Sequence, residues 1–279
     1  MSPRSQNTQM FALKGRPPET FRVAGTEYRL ARVFKHDFWA ATCLYERITV
    51  PAASGDILPR IVVKFGRQQA FAGVPLEWIG QWLADHEQAI YKSLAGVAGV
   101  PRWVGRLSPI CYAIEYIDAP PLDHLETIPP GLFDRLRDVF DAIHARGVAY
   151  GDSNKKSHIL VDAAGHPTVI DFQISLRLRD DWPWPLRNLA RRIIAYLQGK
   201  DIYHLYKHKR RLAPAELTEA EERLSRKRSG LHILHRKLTK PYRSLRRTFL
   251  RKQHQDGKLQ SPTADLEDHH QPEKETWRD

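Results

Sequence analysis

Two short apolar runs, each tied to one acidic residue, constrain this chain more than any other feature. Tyr150-Gly-Asp-Ser-Asn-Lys-Lys-Ser-His-Ile-Leu-Val161 places Asp152 at the opening of a polar loop and ends in a β-type run. Pro167-Thr-Val-Ile-Asp-Phe-Gln173 is a second β-type run, closed by Asp171. Ala163-Ala-Gly-His166 joins the two as a hairpin-like turn with a glycine. Pairing the runs brings two carboxylates that are distant in sequence to one place.

Carboxylates at adjacent strand ends can serve one nucleotide. In this layout Asp152 sits beside an attacking hydroxyl and Asp171 holds Mg2+ on the phosphates of ATP.

The chain before this stretch has strand-like runs at Tyr28-Arg-Leu-Ala-Arg-Val-Phe34, at Phe38-Trp-Ala-Ala-Thr-Cys-Leu-Tyr45 and at Arg60-Ile-Val-Val-Lys-Phe65, which predict a small antiparallel sheet. A helix is predicted over residues 75–94, with Ile79, Leu83, Ile90 and Leu94 as its apolar stripe and Glu87 on that stripe. A carboxylate on a buried face needs a cation, because an unpaired buried charge costs several kcal/mol. Lys64 is the candidate. By strand alternation it shares a face with Val62, opposite Ile61, Val63 and Phe65, and with Glu87 it would clamp the α- and β-phosphates.

Cys111-Tyr-Ala-Ile-Glu-Tyr-Ile117 reads as a further strand, ended by Asp118-Ala-Pro-Pro121, where free backbone groups can meet an adenine edge. A second amphipathic helix over residues 131–146 carries Leu132, Leu136, Val139, Phe140 and Ile143 on one face and delivers the chain to Asp152.

The order strand-Lys64, helix-Glu87, strand-break, helix, Asp152 loop, Asp171-Phe172 resembles the protein-kinase-like fold over about residues 21–200. Within it the chain most resembles small atypical bacterial kinases: the lipopolysaccharide core (heptose or Kdo) kinases, through the Ser157-His-Ile-Leu-Val161 run, and the RIO-like kinases. The resemblance implies an α+β, bilobal fold with a small antiparallel β N-lobe holding one helix and a mainly helical C-lobe. It implies ATP and Mg2+ as cofactors. Carried over by position, Lys64 and Glu87 hold phosphates, Glu115 to Ile117 form the adenine hinge, Asp152 is the catalytic base, and Asp171 and His158 are the metal positions.

Five departures qualify the pattern. Val33-Phe-Lys-His-Asp-Phe38, where a phosphate-covering loop belongs, has no glycine, so Lys35 or His36 would supply charge instead. Gln173 stands where glycine usually follows Asp-Phe, and Tyr150 stands where histidine is usual. The interval from Asp152 to His158 is one residue longer than is common, which leaves Lys155 and Lys156 both open as the phosphate-facing lysine. The short passage from Ser175 through Trp182-Pro-Trp-Pro185 has no room for a peptide-docking segment and favours a compact acceptor.

Charge is unevenly placed. The net charge is +12, yet residues 186–252 hold 20 Lys+Arg against 5 Asp+Glu, or +15, which leaves −3 for the rest. The region reads as a core helix at 186–197, with Leu186, Leu189, Ile193, Ile194 and Leu197 on one side, then a second helix at 201–211 with a basic end. Thr218-Glu-Ala-Glu221 reads as a capping box. Residues 231–252 form two cationic amphipathic stretches suited to an anionic membrane surface, with nucleic acid as the competing partner.

These readings divide the chain into a flexible arm (1–20), an N-lobe (21–117), a C-lobe (118–212), a basic helical extension (213–253) and a polar, disordered tail (254–279). Two cysteines, Cys43 and Cys111, exclude a disulfide framework and fit a reducing cytoplasm. With no apolar run long enough to span a bilayer, a cytoplasmic protein peripheral on the inner membrane is expected. The leading expectation is a kinase acting on a hydroxyl of a lipopolysaccharide-type sugar. A RIO-like protein serine/threonine kinase is the alternative, and a pseudokinase scaffold binding membrane or RNA is the second.

Overall fold

The computed structural model describes residues 10–23, 25–48, 57–179, 181–226 and Thr263. They fall into two compact units. The first holds the described residues up to Asp85 together with Val104–Tyr116, and the second holds His86–Trp103 and the residues from Ile117 onward to Arg226.

The first unit is a six-stranded sheet in the order β1-β2-β3-β4-β6-β5. Its strands are β1 (Thr20–Val23), β2 (Thr26–His36), β3 (Ala40–Arg47) and β4 (Arg60–Gly66), then, after helix α1 (Glu77–Ser93), β5 (Trp103–Ser108) and β6 (Cys111–Glu115). The β1–β2, β2–β3, β3–β4 and β4–β6 pairs are antiparallel. Register explains the core: Val63 lies across from Cys43 and Ala113, so these small apolar side chains share the buried face with Val33, Tyr45, Ile61 and Phe65. Lys64, opposite Thr42 and Tyr112, takes the other face, as alternation predicts.

Residues 10–13, expected in a flexible arm, are instead buried, and Leu13 joins the sheet core. The apolar run Met10-Phe-Ala-Leu13 has a place to bury, and backbone bonds fix it there. Ala12 donates to the Asp37 carbonyl (2.7 Å) and accepts from the Gln68 amide (2.9 Å). The Arg67 guanidinium is buried beside it, stacked 3.8 Å from the Phe38 ring centre and donating to the Phe38 carbonyl (2.8 Å). A methyl group on Gly80 of α1 would lie 2.5 Å from the Arg67 carbonyl oxygen, so the helix can approach only at glycine.

The second unit contains α2 (Leu132–Ala145), β7 (Val148–Ala149), the hairpin β8 (Ile159–Val161) and β9 (Pro167–Val169), β10 (Leu176–Arg177), α3 (Trp184–Leu212) and α4 (Glu219–Arg226). The predicted hairpin forms in antiparallel register, Ile159 opposite Val169. Leu132, Leu136, Phe140 and Ile143 of α2 are fully buried, and Phe140 meets Tyr150 at 5.9 Å between ring centres.

Helix α3 corrects the sequence reading twice. The two expected helices are one helix of 29 residues. Its expected apolar stripe is also split: Leu186, Leu189 and Ile193 are exposed, whereas Ile194 is buried as read and Leu197 is half-buried, and Ala190, Asp201, Leu205 and His208 are buried with Ile194. The buried ridge carries polar groups because it meets backbone. Gln198 donates to the carbonyls of His144 (3.2 Å) and Val148 (3.1 Å). At the basic end Lys209 is buried and bonded to Asp134 and Glu221, both at 2.8 Å.

The capping box forms as read. The Thr218 amide donates to Glu221 Oε2 (2.8 Å), and the Glu221 amide to Thr218 Oγ1 (3.3 Å). The described chain of the extension ends with α4, and the amphipathic stretches of 231–252 and the tail lie outside the described residues apart from Thr263. Among the described residues no helix is long and apolar enough to cross a membrane.

Candidate active site

The second unit draws Asp152, Lys155, His158 and Asp171 together. Lys155 Nζ lies 2.9 Å from Asp152 Oδ2, and His158 Nδ1 lies 3.2 Å from the same oxygen. On the far side of the ring, Nε2 is 3.6 Å from Asp171 Oδ2, so one imidazole stands between the two carboxylates. Burial pushes the Asp152 carboxyl up, but the contacts with His158 and Lys155 outweigh it and hold the group below the usual carboxylate range. It is therefore ionised at neutral pH.

Local structure explains this convergence. Gly151 has φ +82°, a conformation that side chains resist, and it turns the chain sharply into Asp152. The Lys155 amide closes the loop on the Asp152 carbonyl (3.0 Å), and a 3-10 turn at Lys156–His158 leads into β8. Asp171 follows β9 with φ +64°, a left-handed backbone that aspartate tolerates better than most residues but still at a cost. Phe172 secures that conformation, packing edge-on to Tyr91 (5.2 Å) and Tyr150 (5.4 Å).

Tyr150 has a structural reason to replace histidine. Its hydroxyl donates to the Ile170 carbonyl (2.7 Å), tying the Asp152 loop to the strand end that presents Asp171. Complete burial, and then the Asp171 and Asp152 carboxylates, raise the phenol well above its ordinary pKa, so it stays a donor. Ser175 Oγ donates back to the Tyr150 carbonyl (2.8 Å).

A residue without a role in the sequence reading completes the scaffold. Asp201 of α3 is fully buried and accepts from the amides of Tyr150 (2.8 Å) and Gly151 (2.9 Å), with His144 Nε2 at 3.2 Å. Its signal was available, since Asp201 lies four residues after Leu197 and four before Leu205, much as Glu87 lies four after Leu83 and three before Ile90. His208, one turn of helix beyond Leu205, bonds through Nε2 to the Ser153 carbonyl (3.0 Å). Burial is the main reason its pKa falls to about 4, so it is the neutral donor here. Lys156 contributes to that depression, whereas Lys155 is the lysine brought onto Asp152.

The remaining predicted residues are placed as follows. Lys64 is half-buried in β4, its Nζ 6.0 Å from the Tyr112 ring centre. Glu87 is buried in α1 at 3% exposure. Glu115 ends β6 across from Ile61, and the chain enters the second unit at Ile117. His36 is corrected. It is buried, its Nε2 accepts from the Leu13 amide (3.1 Å), and its Nδ1 lies 3.1 Å from Thr263 Oγ1, so it supplies no phosphate charge. The glycine-free turn is built by Asp37, whose Oδ1 accepts from the amides of Trp39 (2.8 Å) and Ala40 (3.0 Å) while Oδ2 pairs with Lys35 (2.7 Å).

The donor set suits Mg2+ through oxygen. Mg2+ uses one or two carboxylates plus phosphate oxygens and water, which Asp171 satisfies, whereas the imidazole of His158 is a softer donor. Among the described residues no group of three or more His, Cys, Asp or Glu is arranged to hold a metal ion by itself.

No protein-family model and no curated protein matches the sequence. Among solved structures the chain is similar to the Rio2 kinase of Chaetomium thermophilum in its ADP/Mg2+-phosphoaspartate complex, at 15% identity and a TM-score of 0.48, over 68% of this chain and 58% of that one. A second structure of that kinase gives 16% identity and a TM-score of 0.46, over 66% and 58%. The chain thus spans less than two thirds of either. The α+β class stands on the elements themselves: six strands with helix α1 among them, then a mainly helical stretch that holds the Asp152 loop and the Asp171-Phe172 strand end.

Proposed function

We propose that the chain is an ATP- and Mg2+-dependent phosphotransferase acting on a hydroxyl group. The observation that carries this reading is the Asp152, His158 and Asp171 array, with Asp152 held ionised and Asp171 fixed in a left-handed turn. Asp152 orients the acceptor hydroxyl and takes its proton. His158 spaces the two carboxylates. Lys155 lies where it can offset charge at Asp152. Asp171 would hold Mg2+, which when bound supplies charge neutralisation on the phosphates.

The passage from Phe172 to the start of α3 at Trp184 is short, which supports a compact acceptor. A sugar hydroxyl and a protein serine or threonine are separated by giving a cell extract the purified protein with radiolabelled ATP and asking whether label enters glycolipid or protein. Asp152→Ala is expected to abolish transfer while leaving the circular-dichroism spectrum and melting temperature intact. Turnover retained in that variant refutes the assignment. A pseudokinase predicts no transfer by the unmodified protein and no thermal shift with Mg2+ and ATP.

A further inference from the structure

The outward face of α3 carries none of the residues of the Asp152, His158 and Asp171 array. Trp184 is 77% exposed, and Leu186, Leu189, Ile193 and Tyr196 follow it as a solvent-facing stripe at helical spacing, with Leu189 at 56%. Soluble proteins rarely leave such a stripe uncovered without purpose. Ile174 and Leu176, on the segment leading into the helix, are also exposed, as is Trp182.

Charge identifies the partner. From Trp184 to Lys200 the chain has no aspartate or glutamate, while Arg187, Arg191, Arg192 and Lys200 are basic. Arg191 and Arg192 are exposed, and Lys200 Nζ lies 5.4 Å from the Tyr196 ring centre, at the end of the stripe. An apolar helical stripe edged by cations, with tryptophan at one end and tyrosine at the other, is the pattern of a helix lying in a lipid interface. A protein groove would take the leucines but gives no reason for an acid-free, arginine-rich border.

We propose that the first half of α3, residues 184–197, docks the protein on an anionic phospholipid surface. The apolar stripe enters the headgroup boundary and the arginines meet lipid phosphates. This goes beyond the phosphotransfer reading and does not depend on it, since binding is read without ATP.

The test is flotation of the full chain with vesicles of phosphatidylglycerol and, separately, of phosphatidylcholine. Wild type is expected to float with the anionic vesicles only. Leu189→Glu combined with Ile193→Glu is expected to cut the bound fraction roughly fivefold or more at unchanged melting temperature. Because both sites are exposed, the variant should fold; Trp184→Ser gives a second, milder probe, expected to weaken flotation in the same direction. Brominated acyl chains should quench wild-type fluorescence more than that of Trp184→Phe. Wild type that fails to float, or α3 variants that float like wild type, overturns the proposal. So does flotation that survives the α3 substitutions and is lost only on deleting residues 231–252, or a wild-type dimer that the glutamate variant converts to monomer without change in flotation.

Discussion

Asp201→Ala tests how the Asp152 loop is held. The substitution removes a buried acceptor of two backbone amides, at 2.8 and 2.9 Å, and of the His144 ring at 3.2 Å. Hydrogen bonds to a charged acceptor contribute about 1.5–3 kcal/mol each, so the two amides alone suggest a loss of about 3–6 kcal/mol. For a unit of this size that corresponds to a fall of about 10 °C or more in melting temperature. Asp201→Asn keeps one acceptor oxygen and turns an NH2 group toward the other amide, so it should lose about half as much. Differential scanning calorimetry reads the stability. Phosphotransfer by the folded fraction, measured well below the midpoint, reads the loop. Because Gly151 and Tyr150 are the residues released, kcat should fall more than KM rises. Asp201→Ala within 2 °C of wild type, or with kcat unchanged, would refute the claim that this carboxylate anchors the loop.

Three further outcomes follow from the same structure. Lys155→Met removes one of the contacts that hold Asp152 low, so the acid limb of kcat/KM should move to higher pH, whereas Lys156→Met should leave it in place; an equal shift in both variants rejects the assignment of Lys155. His208 has a folded-state pKa of about 4 against 6.5 ordinarily, so its contribution is full above pH 6.5 and is lost as pH falls from there toward 4. That is about 2 kcal/mol between pH 7 and 4.5, read by urea titration, and His208→Gln should flatten that part of the slope. Gly80→Ala forces a methyl group onto the Arg67 backbone and should cost about 1–3 kcal/mol in the stability of the first unit; a neutral result would show that α1 can shift away freely.

Much of the scaffold was legible because pattern and burial coincide where side chains pack only against one another. The alternation in Arg60–Gly66 put Lys64 on the correct face, and the Thr218 to Glu221 spacing gave the cap. Even the weak turn at residues 162–166 was marked by its glycine. The legible part of the site was Asp152, which opens a polar loop before an apolar run, and Asp171, which closes one. Elements too short to carry a periodicity, such as the four-residue β1 and the two-residue strands β7 and β10, left no comparable trace.

Helix α3 shows where that logic fails and why the failure is informative. Hydrophobic periodicity assumes that the apolar side faces the core, but the core side of α3 must satisfy the backbone of a loop bent at Gly151, and backbone amides and carbonyls need polar partners. Gln198, Asp201 and His208 supply them at the positions that periodicity reserves for leucine. Leu186, Leu189 and Ile193 are then free to lie on the opposite face. An inverted helix of this kind carries two messages in one sequence: the buried polar ridge points to a strained loop that needs holding, and the exposed apolar stripe points to a second surface. Asp201→Ala should therefore disturb the loop and leave lipid binding alone, whereas Leu189→Glu with Ile193→Glu should do the reverse.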